Sequence, residues 1–239
     1  MHVTTAKTAF RIGLIDALPF ILVVVPFALL FGVLAADAQL SLAQTFGFSF
    51  TVFAGASQFA AVQLITDAAP LGIVVATALA VNLRNAMYSA ALTPWLGNGT
   101  RLQRACIAYV LVDQNYALAV QRFERDPDWS PPVRRAYYFG TIALIYPLWL
   151  IATMAGAVVG TTIPAWLALD FALPICFLAL IGPMLRSPAH LAAAATSIAL
   201  ALALSGLPYG TGLLLAAAAA MAVGARVELW QDRRVRAAA

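Results

Sequence analysis

Three ionisable side chains stand inside long apolar stretches of the chain: Asp16, Arg84 and Asp113. A charge at the centre of a membrane helix costs about 2.5–3.5 kcal/mol on insertion scales, so each of them asks for a partner or a water-filled cavity. Arg84 lies in Val81-Asn82-Leu83-Arg84-Asn85-Ala86-Met87-Tyr88-Ser89. At about 100° per residue, Asn82, Arg84, Asn85, Tyr88 and Ser89 occupy roughly half of a helix circumference, a polar face at membrane depth. The planar guanidinium suits bidentate capture of a carboxylate. That carboxylate belongs either to a bound solute or, in a structural ion pair, to Asp113 or Asp16. Asp113 sits in Val112-Asp113-Gln114-Asn115-Tyr116, where an uninterrupted helix puts Tyr109, Asp113 and Tyr116 on one face. Burial raises a carboxyl pKa, which lets such a residue take and release protons near neutral pH. Asp113 therefore carries protons, holds an ammonium group, or only neutralises Arg84, and Asp16 is the second candidate for proton coupling.

A third segment, Phe53-Ala54-Gly55-Ala56-Ser57-Gln58-Phe59-Ala60-Ala61, puts small and polar residues into an apolar run, with Thr51, Gly55 and Gln58 along one helix face. Small residues permit close helix approach, which is one reading. Local unwinding at Gly55 to Ser57 is the other, since discontinuous helices offer backbone groups to zwitterions. Pro19, Pro26, Pro147 and Pro174 are each read as structural. Asp37 and Asp170 lie near helix ends and are expected to face headgroups or water. Cys106 and Cys176 stand in apolar sequence and are expected to be small core residues, without a disulfide. His2 and His190 have no ligand-spaced neighbours, so neither a metal nor another cofactor is expected. No paired-carboxylate or Ser and His constellation falls within the apolar runs, which speaks against an enzyme.

The elements that hold these residues follow from composition. Of the 239 residues 63% are hydrophobic and 10% charged, far from the balance of soluble domains. Apolar runs recur at the ~20 residues needed to cross a bilayer, and long continuous runs mean helices rather than a barrel. We expect an all-α polytopic membrane protein forming one transporter-like domain over residues 1–239. Eight spans are placed at Leu14 to Ala36, Leu42 to Ile65, Leu71 to Trp95, Leu102 to Gln121, Ala136 to Gly160, Ala165 to Leu185, Leu191 to Leu204 and Thr211 to Leu229. Seven spans is the alternative, because the last two are short. With eight, the basic residues gather on the side of both termini, including Arg122, Arg125, Arg134, Arg135, Arg186, Arg233 and Arg234, which puts both ends in the cytoplasm. Gly32-Val33-Leu34 and Gly156-Ala157-Val158 suggest an internal repeat, as in many secondary transporters.

Phe53 to Phe59, Val81 to Arg84 with Tyr88 following, and Val112-Asp113 together resemble the AzlC family, the large subunits of bacterial two-component branched-chain amino acid exporters of the AzlC/AzlD and BrnF/BrnE type. The order, spacing and chain length of the resemblance cover essentially the whole protein. It implies a secondary transporter in the bacterial inner membrane, a small hydrophobic AzlD-type partner subunit, and efflux of leucine, isoleucine, valine or methionine. On this reading Gly55, Ser57, Gln58, Asn82, Arg84 and Tyr88 contact the amino acid. The family usually has histidine after the arginine and an acidic residue after the aspartate, whereas Asn85 and Gln114 stand here. Asp113 and Asp16 remain for proton coupling. The rival class is a membrane scaffold or assembly subunit that transports nothing.

Overall fold

The computed structural model describes residues 5–160, 185, 187–207 and 211–238, and among these every regular element is helical. In chain order they are α1 (Ala6–Ala17), α2 (Ile21–Asp37), α3 (Leu42–Thr51), α4 (Gly55–Thr66), α5 (Leu71–Leu96), α6 (Arg101–Tyr109), α7 (Asp113–Arg125), α8 (Pro131–Ile142), α9 (Ile145–Gly160), α10 (Pro188–Ala203) and α11 (Thr211–Ala238). Four stretches are long and apolar enough to cross a membrane: Ala6–Asp37, Leu71–Leu96, Pro131–Gly160 and Thr211–Gln231. The chain divides into two compact units, Met1–Gln63 with Ala78–Pro164 and Leu64–Thr77 with Ala165–Ala239.

In the first unit the spans Ala6–Asp37 and Pro131–Gly160 lie side by side, α1 against α8 and α2 against α9. Each is a helix interrupted near its middle, by the 3-10 turn Leu18–Phe20 at Pro19 in one and by a turn at residues 143–144 in the other. Glycine sets their separation. A Cβ on Gly32 would lie 2.0 Å from the Thr153 carbonyl oxygen, and one on Gly156 would lie 2.0 Å from that of Leu29. Gly13 and Gly140 repeat the arrangement lower on the pair, against Tyr137 and Phe10. Because Phe10 meets Gly140 and Leu29 meets Gly156, the two spans run in the same direction. Parallel spans require an odd number of crossings between them, and of the intervening segments Leu71–Leu96 is the one long and apolar enough to cross as a single helix. The similarity between Gly32-Val33-Leu34 and Gly156-Ala157-Val158 falls on the crossing point itself.

Helix ends in this unit follow local chemistry. Ser41 with Gln44 and Thr100 with Gln103 form capping boxes that start α3 and α6. At the end of α2, Gln39 adopts φ 60°, and its N–H and that of Leu40 donate to the carbonyls of Ala36 and Ala35. This is a Schellman ending built without glycine. The second unit contains the hairpin of α10 and α11, which pack closely enough that a Cβ on Gly212 would lie 2.3 Å from the Leu204 carbonyl oxygen.

Several expectations need correction. The second and fourth spans, expected as continuous helices over 42–65 and 102–121, are each two short helices with a break, at residues 52–54 and 110–112. Neither break contains proline or glycine, so hydropathy runs straight through them; tertiary hydrogen bonds hold them open, as described below. The face shared by Thr51, Gly55 and Gln58 is thereby divided, as is that of Tyr109, Asp113 and Tyr116. Cys106 is exposed rather than a core residue, while Asp37 is exposed as expected. Asp170, Pro174, Cys176 and the expected span 165–185, apart from its last residue, lie outside the described residues.

Candidate functional site

Each broken helix releases backbone groups that a membrane cannot satisfy, and side chains of the first unit take them up. At the first break the Val52 N–H still reaches Phe48, but Ala54 turns back to the Val52 carbonyl at 2.9 Å, a γ-turn that leaves the Phe50 carbonyl free. The Tyr109 hydroxyl donates to that carbonyl and pairs with the Tyr146 hydroxyl at 2.8 Å. At the second break Asn115, fully buried, accepts from the Val112 N–H and donates to the Val110 carbonyl, both at 2.8 Å. The Tyr138 hydroxyl takes the freed Ile107 carbonyl at 2.8 Å. The two breaks are thus joined, since Tyr109 ends α6 and bonds to the last turn of α3. Phe53, inside the first break, packs in one cluster with Val110 and Val112 of the second.

The half-helices α4 and α7 begin at these breaks, and the residues singled out in the sequence gather around their N-terminal ends. Asp113 is the first residue of α7, and Arg84 on α5 donates to its Oδ2 at 2.8 Å. The pair is about a quarter exposed, with side-chain accessibilities of 28% and 21%. Of the partners weighed for Arg84, Asp113 is the one found. Ser57, in the first turn of α4, donates to the Ala78 carbonyl at 3.0 Å and accepts from the Asn82 amide at 3.2 Å, tying α4 to α5. Gln58 is fully buried, and its amide donates to Ser49 Oγ at 3.0 Å, bridging α3 and α4 across the break. Tyr88 stacks on Tyr116 with ring centroids 4.0 Å apart. Ser89, expected on the same polar face, is exposed. The predicted unwinding at Gly55 to Ser57 occurs three residues earlier, so that Gly55 opens α4 rather than lying in the break.

What distinguishes this region is hydrogen-bonding capacity left over. Gln58 Oε1, Asn82 Oδ1, Asn85 Oδ1, Arg84 Nε and Asp113 Oδ1 are buried and have no partner among the described residues. In folded proteins such groups are few, and each one calls for a reason. Together they hold acceptors for an ammonium group and a donor for a carboxylate.

Asp16 belongs to a different cluster. Its Oδ2 accepts from Arg122 at 2.7 Å and from the Tyr137 hydroxyl at 2.8 Å. Arg122 also donates to Asp126 at 3.3 Å and lies over the rings of Trp129 and Tyr137, 5.6 and 5.3 Å from their centroids. Beside this network is a cavity of about 380 Å³ lined by Asp16, Pro19, Gln121, Arg122 and Arg125 among others. Asp16 and Arg84 form no pair.

Sequence reasoning missed the residues that make the breaks possible: Tyr109 and Tyr138 as carbonyl partners, Asn115 as the plug, and Trp149 with Thr153 on α9, whose polar atoms are also buried and unpartnered. The four-residue spacing of Trp149 and Thr153 in an otherwise apolar run was the available signal.

Residues 19–163, which contain both broken helices and the Arg84–Asp113 pair, match the family model of the AzlC protein. The chain is 30% identical over 208 residues to an uncharacterized membrane protein of Archaeoglobus fulgidus, covering 85% of this chain and 88% of that one. It is 29% identical over 181 residues to the inner membrane protein YgaZ of Escherichia coli, covering 72% and 71% respectively. No solved structure matches the chain. The matched segment carries the motifs at Phe53, Arg84 and Asp113, and this membrane protein belongs to the AzlC family.

Proposed function

We propose that the protein is a secondary transporter that exports branched-chain amino acids, leucine, isoleucine, valine and by extension methionine, across the bacterial inner membrane. The observation that carries this reading is the pair of joined helix breaks with unanswered polar atoms of both kinds beside them. Discontinuous helices at membrane depth recur where transporters bind small solutes, because their ends present backbone charge that lipid cannot tolerate. The solute binds beside Gly55, Ser57, Gln58, Asn82, Arg84 and Tyr88, and helix rocking exposes it to the two sides in turn. The proton gradient supplies the energy, with Asp113 as the carboxylate in the site and Asp16 as the second titrating group. Both termini face the cytoplasm, and a small AzlD-type subunit completes the complex.

Cells loaded with an isoleucine-containing dipeptide test this. The chain is expressed with its small partner, and isoleucine appearing outside is followed against an Arg84→Ala control at matched membrane levels. Export lost in the variant is the expected result. Equal background release from both would remove the exporter reading in favour of a scaffold or assembly subunit.

A further inference from the structure

Two hydrogen-bond donors of α9 are buried and unanswered: the indole N–H of Trp149 and the hydroxyl of Thr153. Trp149 is 6% exposed and Thr153 is fully buried, and a spacing of four residues puts them on one face of the helix. Trp149 meets the beginning of α4. A Cβ on Gly55 would lie 2.8 Å from Trp149 Cη2 and equally close to Phe27 Cε1, so the indole ring rests directly on the first residue of the half-helix. The first-turn N–H groups of α4, those of Gly55, Ala56 and Ser57, have no carbonyl one turn back to receive them. They also form the positive end of a helix of 12 residues. The α4 start and the Trp149 ring are thus in contact, and nothing in the described chain accepts from Trp149 Nε1 or Thr153 Oγ1.

The acceptors lie on the other elements. Asp113 Oδ1, Asn82 Oδ1 and Asn85 Oδ1 are all unpartnered, on α7 and α5. Arg84 carries positive charge there, but its Nη1 is held by Asp113. An α-amino carboxylate needs donors for one end and acceptors for the other, and the unit supplies the two sets on different helices.

We propose that the α4 N-terminus, Trp149 Nε1 and Thr153 Oγ1 form the carboxylate subsite, and that the ammonium group is held by Asp113 with Asn82 and Asn85. This assignment rests on the transporter reading and fixes the polarity of the bound solute within it. Arg84 then serves as the counter-ion that positions Asp113, and the solute's carboxylate is read by neutral donors and a helix end. Phe27 and Phe53, whose rings lie 6.1 and 6.0 Å from that of Trp149, wall the same end with apolar surface.

The test uses the full chain in lipid nanodiscs with any small subunit that copurifies, and two probes: isoleucine, and 2-methylbutylamine, which keeps the side chain and the ammonium group and lacks the carboxylate altogether. Trp149→Phe keeps the ring and removes the N–H; Thr153→Val keeps the shape and removes the hydroxyl. Losing a hydrogen bond to a charged group is expected to weaken isoleucine binding about tenfold, while 2-methylbutylamine binds each variant as it binds the unaltered protein. Variants that weaken both probes equally, or neither, overturn the subsite and leave the transporter reading standing. An unaltered protein that binds no isoleucine overturns that reading and the subsite with it. Thr153→Val decides the matter alone if Trp149→Phe does not fold.

Discussion

Two ion pairs of the first unit, Arg122–Asp16 and Arg84–Asp113, are of nearly equal length and differ in what surrounds them. Arg122 and Asp16 are saturated: the guanidinium meets two carboxylates and two aromatic rings, and one Asp16 oxygen takes both the arginine and a tyrosine. Arg84 and Asp113 meet each other, and each keeps an unanswered buried atom. The first of these joins α1, α7 and α8 and leaves no buried side-chain atom of Asp16 or Arg122 unanswered. An unsaturated pair costs stability and is kept where something else is to be bound. The contrast separates a brace from a site, although hydropathy gives Asp16 and Asp113 the same description.

Substitutions can break that contrast. The largest effect is expected for Arg84→Ala, which leaves Asp113 without its counter-ion and drops isoleucine export to background, while the reciprocal exchange Arg84→Asp with Asp113→Arg recovers membrane levels without recovering export. An exchange that restores export would make the pair a brace like the other. Next comes Arg122→Ala, which leaves Asp16 without a cation and Asp126 with Arg125 alone, and is expected to lower stability by about 3 kcal/mol, measured as a fall in melting temperature in detergent. Export per folded molecule should change much less than with Arg84→Ala. Asp113→Asn and Asp16→Asn sharpen the assignment of proton coupling. Asp113→Asn is expected to abolish gradient-driven export, and export that keeps its full rate and pH dependence would remove Asp113 from coupling. The same pH profile recorded for Asp16→Asn shows whether the brace carries a proton as well. The smallest effect belongs to Tyr137→Phe, which removes one hydrogen bond from Asp16 and should cost about 1 kcal/mol with the rate of export intact.

How much of this was legible beforehand depended on whether the signal was local. Apolar length placed the long spans, and the gaps left between Ile65 and Leu71 and between Trp95 and Leu102 were visible because they hold proline, glycine and polar residues, the chemistry of turns. The pairing of Arg84 with Asp113 was one of two partners open to it, since a lone charge in lipid demands a mate but does not name one. The breaks at residues 52–54 and 110–112 were not legible. They contain valine, leucine, phenylalanine and alanine, all good membrane-helix residues, and exist because Tyr109, Tyr138 and Asn115 offer the backbone partners it would otherwise find in its own helix. Asn115 is near its break in sequence, but Tyr138 reaches Ile107 across 31 residues and Tyr109 reaches Phe50 across 59. Trp149 was missed because an indole in an apolar run looks like packing until its N–H is found without an acceptor.

The glycine crossing at Gly32 and Gly156 bears on how the molecule moves. With main chain pressed on main chain and no side chains between, there are no rotamers to rearrange and no groove along which one helix can slide past the other. The spans Ala6–Asp37 and Pro131–Gly160 are therefore coupled as one stiff body, and the alternating exposure of a solute that the proposed function requires has to be accommodated elsewhere. Residues 52–54 and 110–112, where helical continuity is already lost, are the places where turning costs only the side-chain bonds of Tyr109, Tyr138 and Asn115 rather than a run of helix. On the transporter reading, a cycle on this plan is a fixed double column with two hinged half-helices working against it.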